Sequence, residues 1–468
     1  MGLSVGIDDL RFAFPSLYMD LSDLAVARDI EPSKLIKGLG LHEMSVCDVD
    51  EDVITLSAKA LLDILKSNDL KPNEIGRIYV GTESSIDGSK PIASYLLGIL
   101  NQYFIKKGEE NGTLKNVDVV DMTFACIGAI DAMHNSLTYL LTEPDKKAIV
   151  IAADIANYDL ASSGEYTQGA GAAAILLSVD PKLMTIEPKV GVAAACVHDF
   201  FKPLRIHCSN EIDSNNLGVK DEIFTVHKET PIFDGPLSNH TYKCRIEEAY
   251  KNFGEKKGME MDLDAYDSYI FHLPYAYHGR RIIDSIFLAD LESKGELKDF
   301  YDSLPVAMPD KEMMSVDEYK SAKRAWKKSI VKSDRYTSMV NKKIEKSERL
   351  SSKTGNVYTA SIFLALISDL HFSLINKDKR DSLLFFAYGS GSKSKVFSGQ
   401  LMQGWENVVG EWDVEEQLND RQRVDFETYT EIRLHTLHTP VIKGKSGVFL
   451  CSSGVSDTNR YARNYKLA

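Results

Sequence analysis

The sequence predicts an α/β protein built from two related halves that face each other. Three observations carry this. Short apolar runs that read as strands alternate with stretches of helical spacing along the chain. One order of strand end, helix start and strand end occurs twice. The chain has 468 residues, 44% hydrophobic and 26% charged, which is enough for a sizeable core and excludes disordered, collagen-like and fibrous classes.

In the first half, Val5-Gly6-Ile7 opens a strand. Asp20 through Arg28 reads as a helix, with Gly38-Leu39-Gly40 as its break. Asp52 through Ser67 is helical, because Val53, Leu56, Ala60, Leu61, Ile64 and Leu65 recur on one face. Ile75 through Val80 is a strand that runs out into Gly81-Thr82-Glu83. Val117 through Thr123 is a second, leading into Phe124-Ala125-Cys126 and a helix marked by Ile130, Met133, Leu137 and Leu140. Ala148 through Ala153 is a third strand, closed by Asp154, and Gly169 through Val179 a fourth.

The second half repeats the order. Tyr269-Ile270-Phe271 is a strand ending in His272, Asn356 precedes a helix from Tyr358 to Leu370, and Leu383 through Ala387 is a strand ending in Tyr388-Gly389-Ser390-Gly391. The spacing from helix opener to the next strand end is similar in both halves. The division is expected at 1–180 and 181–468, with a charged insertion over about 291–352. From Lys320 to Lys353 that insertion holds twelve Lys or Arg against three Asp or Glu. Such a run is either a solvated helical face or a local positive surface for phosphates.

Lys plus Arg (55) against Asp plus Glu (68) gives a net charge of -13, which argues against nucleic acid or an anionic membrane surface as partner. No run of about 18 apolar residues and no basic-then-apolar leader is seen, so a cytoplasmic protein is expected. Six cysteines (Cys47, Cys126, Cys196, Cys208, Cys244, Cys451) are scattered without a C-x-x-C pair or a metal-type grouping with His. They read as thiols, of which one could work, and no metal is expected.

Cys126 is the first candidate. It opens a helix, where backbone N–H groups and the helix dipole are expected to lower a thiol pKa, and the small Gly128 and Ala129 behind it would let a thioester approach. Glu83 stands past a strand end, where a closed pocket would raise its pKa into the range of a general base. His272 is flanked by Phe271 and Leu273-Pro274-Tyr275. Taken singly, such a Cys or His is more often a packed core residue and such a Glu a solvated one. Finding Cys126, Glu83, His272 and Asn356 each at a strand end or helix start is what favours a site.

On these residues the chain resembles the 3-hydroxy-3-methylglutaryl-CoA synthases, condensing enzymes of the thiolase superfamily. The matching stretches run in order: Lys37-Gly38-Leu39-Gly40, Ile75-Gly76-Arg77, Gly81-Thr82-Glu83 with Asp87, Ala125-Cys126, Asp154-Ile155-Ala156, Asp199-Phe200-Phe201-Lys202-Pro203, Asp234-Gly235 with Leu237-Ser238, Phe271-His272 with Pro274-Tyr275, Gly355-Asn356 with Tyr358-Thr359, Tyr388-Gly389-Ser390-Gly391, and Asn459-Arg460-Tyr461-Ala462-Arg463.

The resemblance implies a thiolase-like, five-layered αβαβα fold, a homodimer, and a catalytic triad of Cys126, His272 and Glu83. It implies ligand contacts at Ser162, Thr167, Ser238, Arg281, Asn356 and Ser390, with Tyr388 in the same loop as Ser390 and with Asp154 and Asp199 in supporting positions. The implied reaction joins acetyl-CoA to acetoacetyl-CoA through an acetyl-cysteine, feeding isoprenoid synthesis, with CoA thioesters as substrates and no cofactor. Three positions depart from the family pattern. Ile127 stands where a tyrosine commonly follows the nucleophile, Tyr277 where a lysine commonly holds CoA phosphates, and Glu31-Pro32 replaces Asp-Ala at the nucleotide end. Arg280 and Arg281 are then the nearest cations to replace that lysine, unless they pair with the acidic stretch around Asp284 and Asp290. Two rival readings are a synthase for carrier-protein-bound acyl chains in polyketide β-branching and a non-catalytic thiolase-fold partner subunit.

Overall fold

The computed structural model describes residues 3–203, 206–208, 223–225, 230–443, 447–453 and 462–467. Ten strands form the main sheet. In chain order they are β1 (Val5–Ala13), β2 (Ile75–Gly81), β3 (Asp118–Met122), β4 (Lys147–Ala156), β5 (Gly169–Val179), β6 (Met184–Ile186), β7 (Gly191–Ala194), β8 (Ser268–Phe271), β9 (Ser382–Gly389) and β10 (Lys393–Leu401). Their order across the sheet is β8-β9-β10-β6-β1-β5-β4-β2-β3, with β7 also paired to β10. In one half β2 runs parallel to β3 and β4, and β5 and β1 follow antiparallel. In the other β8 runs parallel to β9, and β10 and β6 follow antiparallel. β1 meets β6 through Gly6 and Ile7, so the two halves share one sheet path.

The helices that position the site are α1 (Leu21–Ala27), α2 (Val53–Ser67), α3 (Ile92–Lys106), α4 (Gly128–Leu140), α5 (Gly235–Lys257), α6 (Val316–Lys332), α7 (Asp334–Lys343), α8 (Glu345–Thr354) and α9 (Ser361–Asn376). Strand alternation sorts them into layers. Ile149, Ile151 and Ala153 of β4 share a core with α2 and α3, while Ala148, Val150 and Ala152 share one with α4. Helices α4 and α9 thus lie inside, α2 and α3 cover one outer face, and α5 packs over β7 and β10 on the other. This is the expected αβαβα layering. The segment Tyr358–Asn376 passes the length and composition test for a membrane span, yet 83% of its most apolar window is buried inside the protein. Its hydrophobicity serves the central layer.

Several boundaries differ from the sequence reading. The first helix stops at Arg28, before Asp29 at φ 53°, and a separate turn over Lys34–Leu39 ends at Gly40 with φ 74°. Asp154 lies within β4, paired with Gly171, and does not close it. Helices α3 and α5 and strand β10 were not expected. The charged insertion divides in two. The Lys and Arg side chains of α6 are exposed, as a solvated face requires, but Lys343 is buried and donates to the carbonyls of Leu263 (2.9 Å) and Tyr266 (2.7 Å), and Lys346 pairs with Asp378 (2.8 Å). Those two lysines tie the insertion to the core and offer no surface for phosphate. The stretch Asn459-Arg460-Tyr461 lies outside the described residues.

Candidate active site

Glu83 follows β2 and Cys126 precedes α4, and these two ends meet because glycine permits it. A Cβ on Gly81 would stand 2.2 Å from the Cα and N of Ala129. Across the halves, a Cβ on Gly389 at the end of β9 would stand 2.7 Å from the Phe124 carbonyl oxygen and 2.8 Å from Cγ2 of Ile127. Ala125, at φ 39°, takes the left-handed turn that carries the chain from β3 into α4. Gly128 and Ala129 are small for the strands behind them: a Cβ on Gly128 would lie 2.6 Å from the Met122 carbonyl oxygen. Their smallness serves this packing. Ile127 is fully buried against Gly389, so this departure from the family pattern contributes packing between halves.

The Cys126 thiol donates to Oε1 of Glu83 (3.1 Å). Lys202 Nζ lies 3.5 Å from Oε2 of the same carboxylate and donates to the Glu83 carbonyl (3.3 Å). Cys126 sits in a cluster with Ala156, Tyr158 and Tyr358, flanked by Phe200 and Phe233. Tyr158 meets Phe233 edge-on at 5.4 Å, and Phe200 meets Tyr358 at 5.8 Å. In this aromatic chamber burial pushes the Glu83 carboxyl up to about 7, against the pull of Lys202. Burial, and then the Glu83 carboxylate, push the Cys126 thiol well above its ordinary range. The expectation of a thiol acidified by its helix start therefore does not hold for the resting site, because desolvation and the adjacent carboxylate outweigh the helix end.

Behind Glu83, buried Asp154 gathers both halves. Its Oδ1 accepts from the Glu83 N–H (2.8 Å), Thr82 Oγ1 (3.0 Å) and Ser84 Oγ (2.8 Å), and its Oδ2 accepts from the Thr359 N–H (3.0 Å). His272 follows β8 and donates its backbone N–H to Phe386 (3.1 Å). Burial pulls its imidazole down to about 3, against a backbone hydrogen bond to Tyr358, so the ring is neutral at physiological pH. Its Nδ1 is buried without a partner among the described residues. Tyr242 of α5 fixes the same strand end by donating to the His272 carbonyl (2.7 Å), and its ring stacks on Tyr388 at 4.2 Å.

The remaining sequence candidates fall into three groups. Asp199, Ser238, Tyr388 and the Ser390 loop come together: Asp199 accepts from the Tyr388 hydroxyl (2.7 Å), the Gly391 N–H (2.9 Å) and Ser238 Oγ (3.3 Å). Asn356 is buried, and its Oδ1 accepts from the Tyr358 N–H (2.9 Å) and Ser361 Oγ (3.0 Å), while its N–H donates to the Thr167 carbonyl (2.8 Å). Ser162 and Thr167 line the neighbouring loop, each bonded to Gly164 (3.3 and 2.8 Å). The third group lies at the Tyr277 turn. Glu31 and Pro32 precede the Lys34–Leu39 turn, whose closing Gly40 packs on the Tyr277 ring. Arg280 lies over that ring at 4.0 Å and forks onto the buried Glu348, while Arg281 donates to the Gly38 carbonyl. Asp284 is taken by Lys243 and Asp290 by Lys294, so the suggested pairing of Arg280 and Arg281 with those acids is corrected. Lys202, Tyr158, Tyr358 and Tyr242 were not singled out from sequence, although Lys202 and Tyr358 lay inside matching stretches.

A buried thiol ahead of an inner helix, hydrogen-bonded to a carboxylate from the neighbouring strand end and faced by elements of a second, similarly wound half, defines a thiolase-type condensing enzyme, an acyltransferase. Residues 2–182 match the family model described as Hydroxymethylglutaryl-coenzyme A synthase N terminal, and residues 224–442 the one described as Hydroxymethylglutaryl-coenzyme A synthase C terminal. The chain belongs to the hydroxymethylglutaryl-CoA synthase family. It is 29% identical over 441 residues to the hydroxymethylglutaryl-CoA synthase of Haloferax volcanii, covering 93% of this chain and 92% of the relative. It is 28% identical over 464 residues to that of Enterococcus faecalis, covering 99% and 100%. Among solved structures it resembles MvaS in complex with 3-hydroxy-3-methylglutaryl coenzyme A, with a TM-score of 0.77, 28% identity and full coverage of both chains. The HMG synthase of the curacin biosynthetic pathway, solved with an acetyl donor-ACP, shares the fold at a TM-score of 0.73 and 20% identity, covering 99% of this chain and 100% of that one.

Proposed function

We propose that Cys126, Glu83 and His272 carry the condensation of acetyl-CoA with acetoacetyl-CoA and water to 3-hydroxy-3-methylglutaryl-CoA and CoA, the step that feeds isoprenoid synthesis through mevalonate. The observation that carries this reading is the 3.1 Å contact between the Cys126 thiol and the Glu83 carboxylate inside a buried aromatic chamber. Glu83 takes the thiol proton as Cys126 attacks acetyl-CoA, and that proton leaves on the departing CoA. The ionised Glu83 next removes a proton from the acetyl methyl group. The carbanion adds to the ketone of acetoacetyl-CoA, which neutral His272 orients, and the new alkoxide takes up the proton. Water then cleaves the Cys126 thioester, giving the free carboxyl of the product. All atoms and electrons come from the two thioesters and one water. Backbone N–H groups at Cys126 and near Ser390 are the proposed oxyanion donors, each worth a few kcal/mol in such sites.

The proposed division falls between residues 180 and 181, so that Glu83 and Cys126 come from one half and His272, Asn356 and Ser390 from the other. A homodimer is proposed with it. Strand β3, at the end of the sheet and half-exposed, presents an edge beside the Cys126 turn that a second copy could continue. A cytoplasmic location completes the reading, since the most apolar helix is used in the core.

A carrier-protein substrate is the second reading. Tyr277 lacks a charge and Arg280 is committed to Glu348, which leaves Arg281 as the cation of that turn. One experiment separates the readings. Acetyl-labelled CoA, and separately an acetyl-loaded carrier protein, are offered with and without acetoacetyl-CoA, and CoA release, protein-bound label and product are followed. Label on wild type but not on Cys126→Ser, with product only when acetoacetyl-CoA is present, is the expected result. Label retained at the wild-type level in Cys126→Ser removes Cys126 from its role, and label taken only from the carrier protein moves the substrate assignment.

A further inference from the structure

We propose that Lys202 is a positioning residue that keeps the Glu83 carboxylate ionised and aims it at the acyl group on Cys126. This rests on the reading of Glu83 as the base and deepens it. Lys202 follows the short strand Phe200–Phe201, and its side chain is folded inward, 15% exposed. Three contacts fix its ammonium: Oε2 of Glu83 at 3.5 Å, the Glu83 carbonyl at 3.3 Å, and the face of the Tyr358 ring at 4.6 Å. The carboxylate is thereby divided. Oε2 faces the lysine, while Oε1 is left to accept from Cys126 at 3.1 Å.

The charges around Glu83 show what the lysine counteracts. Cys126 lies on the α4 side, Asp154 lies behind in β4, and the phenols of Tyr158 and Tyr358 close the chamber. Asp154 is a second buried carboxyl, and its charge disfavours ionisation of Glu83, as burial does. Among the described residues acting on Glu83, Lys202 is the one cation. The Tyr358 ring holds that ammonium without neutralising it, so its charge remains directed at Glu83. Tyr358 also bonds His272 through its backbone, so the lysine packs against the residue that joins base and histidine.

The test reads the charge of Glu83 directly. In infrared titration, the protonated-carboxyl band lost in Glu83→Gln identifies this residue, and its wild-type midpoint is expected near 7. Lys202→Met should raise that midpoint by about one pH unit or more, and Lys202→Arg should restore most of it. Condensation by Lys202→Met should then fall about tenfold at pH 6 and remain within about twofold of wild type at pH 9, a pattern that loss of packing alone would not give. A midpoint within about 0.3 units of wild type overturns the proposal. A midpoint that moves while the acid limb of the rate stays in place counts against Glu83 as base and leaves the role of Lys202 on its charge standing. If the methionine variant does not fold, Lys202→Gln is read by the same criteria.

Discussion

Glu83 touches the nucleophile with one oxygen and a cation with the other, so removing it changes the two half-reactions differently. Its carboxylate is one of the causes that hold the Cys126 thiol pKa up, second to burial. In Glu83→Ala that charge is gone while Lys202 remains, so a thiolate becomes easier to form. The acetyl methyl proton, by contrast, has no substitute base, because the His272 imidazole, pulled down to about 3, is too weak an acceptor. Acetylation of Cys126 in Glu83→Ala is therefore expected within about tenfold of wild type, and condensation should fall about 10²-fold or more. Label incorporation and product formation, measured on the same preparation, check this. Equal loss of both would mean that Cys126 needs Glu83 to accept its proton as much as the acetyl methyl group does.

At the scale of elements, the site depends on how closely strand ends approach helix starts. Alanine at Gly81 would place a methyl 2.2 Å from the backbone of Ala129, and backbone cannot yield as a flexible side chain does. Gly81→Ala should destabilise the fold by about 1–3 kcal/mol, typical of overpacking, and should lower condensation even well below the melting temperature, because Glu83 and Cys126 are pushed apart. Thermal melts with single-turnover condensation test it; an unchanged melting temperature with unchanged rate would show the approach to be slack. The elements that carry these ends were legible in sequence because punctuation and period agreed: Gly81-Thr82 after Ile75–Val80, or Asp52 before a helix whose N-terminus it caps at Ile54 and Thr55. Helix α3, Ile92–Lys106, carries a helical period in its buried Ile92, Leu96, Ile99, Leu100, Tyr103 and Phe104, but the apolar Tyr95, Leu97 and Ile105 off that face blur it. Helix α5 carried usable signals, Asp234 bonded to the Leu237 N–H, Pro236 in the first turn and Gly258 at φ 67°, but its apolar face is thin. In the site, Cys126, Glu83 and His272 could be found from their places at element ends and from the family pattern. The contacts of Lys202 and of the aromatic chamber could not, since they join residues far apart in sequence, as Lys202 with Glu83 across 119 residues, and no local period encodes such packing. The thiol's raised pKa was missed for the same reason, because burial is set by both halves together.

At the scale of the whole molecule, six of the buried groups among the described residues, the histidines and carboxyls with the largest shifts, set opposing proton balances. Burial pulls His134, His272 and His278 each down to about 3, so between about 3 and 6.5 the unfolded chain binds protons there that the folded chain refuses, and stability falls as pH drops. Burial pushes Glu83 and Glu348 up to about 7 and Asp369 up to about 6, so the folded chain binds protons that the unfolded chain has released, and stability rises as pH drops through those values. Between about pH 4.5 and 6 the three histidines and three carboxyls nearly cancel. Below about 4.5 the unfolded carboxyls protonate as well, their contribution ends, and the histidines act alone. These six groups therefore predict a plateau in unfolding free energy from about pH 7 to 4.5, then a loss of about 2 kcal/mol per pH unit between about pH 4 and 3, because the folded histidines begin to protonate while the last unfolded carboxyls still do. Urea titrations across that range check it. His134 bonds the Ile130 carbonyl (2.9 Å) and meets Phe397 of β10 edge-on at 4.8 Å, so it couples α4 to the second half away from Cys126. His134→Leu should reduce the acid slope by about half while leaving the plateau level between pH 6.5 and 7 nearly unchanged by titration. A steady decline beginning at pH 6.5 in the wild type would mean that the buried carboxyls do not offset the histidines, and that Glu83 rests ionised well below neutrality.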